Sequence, residues 1–479
     1  MKRWISPISW LLIALFLLPA MAQAAPHPSA PAESRMSHPA QAEMAAEAAP
    51  SGILAQSTTT ETVYLPAVFR GYRFIPDPIT PNDSYYSRQW ALGKIDAPHA
   101  WAMSKGAGVL VAVLDSGVDL NHPDLDSKIR TDIDYDYIND DNVAQDDHGH
   151  GTHVAGIIAA ETDNAQGVAG LGWETTIVPY KVLDANGSGT TSGIASAIYA
   201  ATDAGAKVIN MSLGSDPGAG ACSNYTSIYD AINYAYNHGV LVVVAAGNNN
   251  GADASTIIPA NCPHVLTVSS TDSDDSLSSF SNIGSVIDVS APGGYIYSSG
   301  WDDTYLYMSG TSMATPYVAG LAALVFARHP DYTPDEVASA ILDHAVDLGS
   351  AGWDDHFGCG RIDAFEAVAG GAVGTTPRCR STALSATTQS ERPFTAASAL
   401  AMPNSSQPHR PDVLIVKWRS GLLANSSLVR AYGLEAVQRL HDGSWVMRVH
   451  FGNEVMMAYR LLRDGLAESV TYDYLLFAK

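Results

Sequence analysis

Val109-Leu110-Val111-Ala112-Val113-Leu114-Asp115-Ser116-Gly117-Val118 decides the fold. Its unbroken, valine-rich apolar run has no helical spacing and stops on a carboxylate, a serine and a glycine. That is a strand buried on both faces and ended by a turn. Residues 208–212, 241–246 and 265–268 repeat the pattern. Between these runs, residues 153–161, 192–204 and 225–237 read as helices. Apolar strands alternating with helices predict an α/β fold, a parallel sheet with helices on both faces. In such sheets chemistry gathers at the carboxyl edge of the strands, where Asp115 stands.

The 479 residues are 46% apolar and 16% charged, which excludes wholesale disorder and leaves room for two to four domains. The net charge is −23. Residues 81–370 alone carry 9 basic and 36 acidic side chains, a net −27, and the remainder is near neutral. This balance disfavours nucleic acid and anionic lipid as main partners, because phosphates need cations.

Residues 1–24 have the pattern of an export signal. Lys2 and Arg3 precede an apolar stretch from Trp10 to Pro19, and Ala22-Gln23-Ala24 supplies a small-x-small cleavage site. An uncleaved anchor is the alternative, but the apolar run is short for a bilayer span. The expectation is a secreted, soluble, monomeric protein with no membrane insertion after signal removal. Residues 25–80 form a low-complexity segment, and residues 371–410 a linker of similar composition. The four cysteines suggest two disulfides in an exported chain. Of three possible pairings, Cys222–Cys262 and Cys359–Cys379 are favoured, because the first two flank one strand region and the last two are close in sequence.

Three motifs carry chemistry. In the first, Asp115 follows a buried strand; alone it could be a turn former. In the second, His148-Gly149-His150-Gly151-Thr152-His153, glycines leave His150 accessible near a helix start. The pair His150 and His153 could bind a metal, although no glutamate lies between them in a zincin pattern. In the third, Ser309-Gly310-Thr311-Ser312-Met313-Ala314-Thr315-Pro316, Ser312 opens an apolar helical run. It could be a helix cap, yet small neighbours leave its hydroxyl open to a substrate. Together the three supply what a serine nucleophile requires: an imidazole base, and a carboxylate to orient that base.

The strings VAVLDSGV, HGHGTHVAG and GTSMATPYVAG resemble the subtilase family of serine peptidases, from about Asn82 to Ala369. The order Asp, His, Ser is that of subtilisin itself. The resemblance implies an acyl-enzyme mechanism on polypeptide substrates. Asp115 would be the orienting carboxylate, His150 the general base and acid, and Ser312 the nucleophile. Asn248, after Ala245-Ala246-Gly247, would donate to the oxyanion. The segments Gly187-Ser188-Gly189 and Ser212-Leu213-Gly214 would pair with an extended substrate. The expected specificity is broad, favouring aromatic and large aliphatic residues before the scissile bond.

Calcium is the expected structural cofactor. Asp136, Asp140, Asp141 and Gln145 place hard oxygen donors along one loop, as in thermitase-like subtilases. By resemblance, Asp83, Asp124 and Asn164 with Gln166 would form a second site. A solvated acidic loop is the alternative for the first. Residues 411–479 read as strand (413–418), helix (427–440), strand (445–451), helix (454–464) and strand (469–477), a small α+β, ferredoxin-like module. It resembles a subtilase prodomain moved to the other end of the chain and would inhibit the cleft intramolecularly, assist folding, or both; an unrelated accessory domain is the alternative. For the whole protein, the competing readings are a catalytically silent binding protein of the same fold and an esterase or peptide ligase.

Overall fold

The structure, a computed structural model, describes residues 75–372, isolated positions up to Cys379, and residues 408–419, 432, 434–449, 454–463 and 466–479. The expected export signal, the low-complexity segment up to residue 74 and most of the 371–410 linker lie outside the described residues. The described parts belong to one unit, Arg73–Lys479.

In chain order the strands are β1 (Leu110–Asp115), β2 (Tyr135–Asp136), β3 (Thr176–Lys181), β4 (Ser188–Thr190), β5 (Val208–Met211), β6 (Leu213–Gly214), β7 (Leu241–Ala245), β8 (Val265–Thr271), β9 (Val289–Pro292), β10 (Ile296–Gly300) and β11 (Thr304–Met308). The tail adds β12 (His409–Trp418), β13 (Glu435–Arg439), β14 (Trp445–Arg448) and β15 (Ala467–Ala478). The helices are α1 (Trp90–Lys94), α2 (Ala97–Trp101), α3 (His150–Ala159), α4 (Thr191–Asp203), α5 (Thr226–Asn237), α6 (Thr311–Arg328), α7 (Pro334–Leu342), α8 (Ala364–Gly370) and α9 (Glu454–Arg463).

Seven strands form one parallel sheet in the order β2-β3-β1-β5-β7-β8-β9. The β1 run is apolar throughout because both its faces are covered. Val111 and Val113 pack into the layer containing α3 and α6, while Ala112 and Leu114 pack into the layer containing α4 and α5. Every residue of α6 from Thr311 to Phe326 is buried, so this helix runs through the core. The two favoured cysteine pairs are the ones joined, with Cα separations of 5.0 Å for Cys222–Cys262 and 5.6 Å for Cys359–Cys379.

In the tail, an antiparallel sheet runs β13-β14-β12-β15. Buried Met457, Ala458 and Leu461 of α9 join Leu414, Val416, Met447 and Tyr472 of the sheet in one apolar cluster. Ile194 and Ile198 of α4 and Ile228 and Ile232 of α5 belong to the same cluster. The tail therefore shares a core with the central block. One expectation changes: residues 435–439, read as part of a helix over 427–440, form β13. All five are exposed, so no apolar stripe was there to hold a helix; pairing with β14 decides the conformation instead.

Candidate active site

Asp115 ends β1 and is fully buried. Its Oδ1 accepts from the Ser116 N–H and lies 2.7 Å from His150 Nδ1. His150 opens α3, one residue after Gly149, whose φ of 92° suits glycine. A Cβ on Gly151 would collide with the Gly117 carbonyl, so glycine is what lets α3 approach the end of β1. Asp146 fixes this start. Its Oδ1 accepts from Ser116 Oγ (2.8 Å) and from the N–H groups of His148 (3.0 Å) and Gly149 (2.9 Å). Its Oδ2 accepts from the Thr152 N–H and hydroxyl. A carboxylate at a helix N-terminus suits the free N–H groups and the dipole there.

Burial by itself would depress the His150 pKa. The Asp115 charge and hydrogen bond, the Asp146 charge and the Lys479 main chain outweigh it, and the net shift is upward. His153 turns elsewhere. Its Nε2 meets the Ile296 and Leu306 carbonyls at 3.1 and 3.2 Å, and burial lowers its pKa to about 3. The two rings therefore serve different neighbours.

Ser312 lies in the first turn of α6. Pro316, four residues on, has no N–H to give the Ser312 carbonyl. Ser212 Oγ donates to that carbonyl instead, at 2.9 Å, and Ser312 Oγ donates to the Ser212 carbonyl at 3.1 Å. His150 Nε2 is buried without a hydrogen-bond partner of normal geometry among the described residues. Asn248 follows β7, and its Oδ1 accepts from both the N–H and the hydroxyl of Thr311, each at 2.9 Å. This holds its Nδ2 toward Gly310, 3.1 Å from the point a Cβ would occupy there. The Lys479 carbonyl oxygen lies 3.2 Å from the same point.

The two expected edge segments flank one strand. Leu475, Leu476 and Phe477 of β15 pair antiparallel with Thr190, Gly189 and Ser188 of β4. On the other side, Phe477 and Ala478 pair with Gly214 and Leu213 of β6. The Ala478 N–H donates to the Gly187 carbonyl (2.9 Å) and the Lys479 N–H to the Ser212 carbonyl (3.1 Å). Alongside Phe477, Ala478 and Lys479 a cavity of about 410 Å³ opens, lined also by His148, His150, Gly187, Met308 and Met313.

Upstream, Asp473 is fully buried at the N-terminus of α4. It accepts from the Ser192 N–H and hydroxyl (2.9 Å each) and from Thr191 Oγ1 (3.3 Å), and pairs with Arg410 at 3.3 Å. Lys417 pairs with Asp230 and His441 with Asp203, at 3.3 and 3.2 Å.

The calcium candidates fall into two groups. Around Asp83 and Asp124, both buried, the Asp163 N–H donates to Asp83, while Asn164 Nδ2 and the Val168 N–H donate to Asp124. Burial, reinforced by the charges of Asp83 and Glu161, raises the Asp124 pKa to about 6. Two desolvated carboxylates of like charge beside amide and carbonyl oxygens suit a hard divalent cation. In the other loop, Asp136 accepts from Ile138 and Asn139, Asp140 from the Tyr135 hydroxyl, and Asp141 from the Val143 N–H. Gln145 turns away, toward Asp119 and the Leu120 N–H. Among the described residues no three His, Cys, Asp or Glu side chains converge as a metal-holding group. A cation at either place would depend on amide and carbonyl oxygens as well.

Sequence reading missed Asp146, Thr311 and Asp473, and it did not foresee β15 between the edges. Asp146 stands three residues before the Gly149 cap position, Thr311 lies inside the third motif but is assigned no role there, and Asp473 has no local signature.

The family model described as the subtilase family matches residues 106–360. Thermitase of Thermoactinomyces vulgaris is 43% identical over 290 residues, covering 60% of this chain and 99% of that protein. A thermophilic serine proteinase of Bacillus sp. (strain AK1) is 45% identical over 291 residues, covering 60% and 69%. A solved protease structure from Pseudoalteromonas arctica superposes with a TM-score of 0.55 at 36% identity, covering 61% of this chain and 99% of that one. The matched span is the sheet and helices that carry Asp115, His150 and Ser312, and the chain belongs to the subtilase family as a subtilisin-like serine peptidase.

Proposed function

We propose that the protein is a secreted endopeptidase that works through Ser312, His150 and Asp115, and that residues 411–479 hold its cleft closed. His150 takes the Ser312 proton as Oγ attacks the scissile carbonyl. Asn248 Nδ2 and the Ser312 N–H receive the oxyanion. His150 then gives its proton to the leaving amine, and water releases the acyl group by the same path. Asp115 fixes the tautomer and stabilises the imidazolium. Export follows from the residue pattern at 1–24 and from the two disulfides. Calcium, held by Asp83, Asp124 and Asn164 and by the Asp136–Asp141 loop, would stabilise the fold.

The observation that carries this reading is the seat of Leu475–Lys479. An extended segment lies antiparallel between both edges, and its Lys479 N–H donates to the Ser212 carbonyl, which also accepts from Ser312 Oγ. A substrate would need the same seat, so the tail competes with it. The shared apolar cluster and the Asp473 bonds favour a docked tail.

The test uses the full chain. A fluorophosphonate probe labels Ser312 only where the cleft is open. Leu476, fully buried in β15, is changed to Asp to unseat the strand. The expected result is slow labelling and slow casein hydrolysis by the parent and faster rates for Leu476→Asp. Ser312→Ala should abolish both. Equal casein turnover by Ser312→Ala would support a role other than Ser312 catalysis. Equal labelling of parent and Leu476→Asp would remove the inhibitory role.

A further inference from the structure

On the cleft reading proposed above, the residue before a scissile bond occupies the place of Lys479, whose N–H donates to the Ser212 carbonyl (3.1 Å) and whose carbonyl oxygen lies 3.2 Å from the point a Cβ on Gly310 would occupy. The Lys479 side chain is 8% exposed, unusually low for lysine. The stem runs over Gly214: Lys479 Cε lies 3.7 Å from the point where a Cβ would sit, and Ile257 Cγ2 lies 3.1 Å from that point. Any side chain at 214 would narrow this slot. At the far end Lys479 Nζ lies 3.8 Å from Asp216 Oδ1.

The main chain at Asp216 is held by its neighbour. The Ser215 N–H donates to the Ile258 carbonyl (2.7 Å), and Ser215 Oγ both accepts from the Ile258 N–H (3.0 Å) and donates to the Asp216 carbonyl (2.9 Å). A slot that fits a long methylene stem and ends near a half-exposed carboxylate on an anchored main chain matches lysine and arginine, whose stems bury while their heads stay charged. The acidity of residues 81–370 favours the same choice of substrate.

We propose that Asp216 is a specificity-determining residue that selects peptides with lysine or arginine before the scissile bond. This replaces the aromatic or aliphatic side chain implied by the family resemblance, and it rests on the cleft occupancy proposed above.

The test compares kcat/KM of the full chain on peptide anilides that differ only in ending with Lys, Arg or Phe. Docking of the tail competes equally with all three, so it cancels from their ratio. The parent should prefer Lys and Arg over Phe. Asp216→Asn should cut that preference about fivefold, as fits a half-exposed ion pair, and Asp216→Glu should retain most of it. Melting temperature and the rate on the Phe substrate report whether each variant is folded.

A second arm isolates the underlying reading. Lys479→Glu sets like charges together and should speed fluorophosphonate labelling, and adding Asp216→Lys should slow it again. If Lys479→Glu leaves labelling unchanged, the occupancy reading fails. If it speeds labelling while Asp216→Asn leaves the Lys-to-Phe ratio unchanged, only the role of Asp216 is overturned.

Discussion

Ser212 and Ser312, one hundred positions apart, exchange two hydrogen bonds. Ser212 Oγ donates to the Ser312 carbonyl, and Ser312 Oγ donates to the Ser212 carbonyl. The first bond exists because Pro316 cannot serve that carbonyl from within α6. The second ties Ser312, the proposed nucleophile, to the edge segment that pairs with β15. Ser212→Ala would leave the buried Ser312 carbonyl unserved. The expected cost is about 1–3 kcal/mol of stability, read from chemical denaturation, together with a lower kcat.

Asp115→Asn tests the orienting carboxylate. The raised His150 pKa means that the ring is neutral, and therefore a base, only above that value. Activity is lost as pH falls through it. Replacing Asp115 removes the largest influences opposing burial, so the acid limb of kcat/KM should move to lower pH. If the proposed triad operates, the drop in kcat should be about 10⁴-fold, the size seen when the orienting carboxylate of a Ser-His-Asp peptidase becomes an amide.

Asn248→Ala should lower kcat by about 10²–10³ with little change in KM, a magnitude taken from subtilisin in this same family. Thr311→Val should do part of the same. It removes a hydroxyl that donates to Asn248 Oδ1 and accepts from the Gly247 N–H, which leaves the Asn248 amide less firmly aimed. A Thr311→Val enzyme with parental kcat would show that the amide needs no such hold.

Asp473 caps α4 from the tail. Asp473→Ala strands the Ser192 N–H and the hydroxyls beside it, so docking of β15 should weaken by about 2 kcal/mol. Labelling of Ser312 should quicken accordingly. Burial raises the Asp473 pKa despite the Ser192 and Arg410 contacts. Its contribution to the docked state is therefore largest below the ordinary aspartate range and is lost as pH rises through the raised value. Alkaline conditions should open the cleft more readily than acidic ones.

Chelation tests the cation reading through Asp124. Without a cation, its raised pKa of about 6 contributes stability below the normal value of 3.8, and this is lost as pH rises toward 6. In a chelator the melting temperature should fall over that window. Added calcium should restore it, with a gain that grows with pH. Asp124→Asn should abolish the gain, and a calcium effect of equal size in that variant would place the ion elsewhere.

The strand and helix alternation of the central block was legible because it is local chemistry. A run such as Val109–Leu114 can be satisfied only by burial on both faces, and the small residues around His150 and Ser312 mark backbone that must come close. Asp115, His150, Ser312 and Asn248 are readable for that reason. The tail helix expected over 427–440 fails at 435–439 because five exposed residues take their conformation from a neighbouring strand.

The amino-acid order by itself determined the sheet and pointed to Asp115, His150, Ser312 and the two edge segments as the candidate site. Tertiary structure decided that Ser212 completes the α6 turn, that Asp473 reaches Ser192 across 281 positions, and that Lys479 lies between Asp216 and Ser212. Those contacts join groups whose partners lie far away along the chain. Only the packed core brings them within hydrogen-bond or charge range.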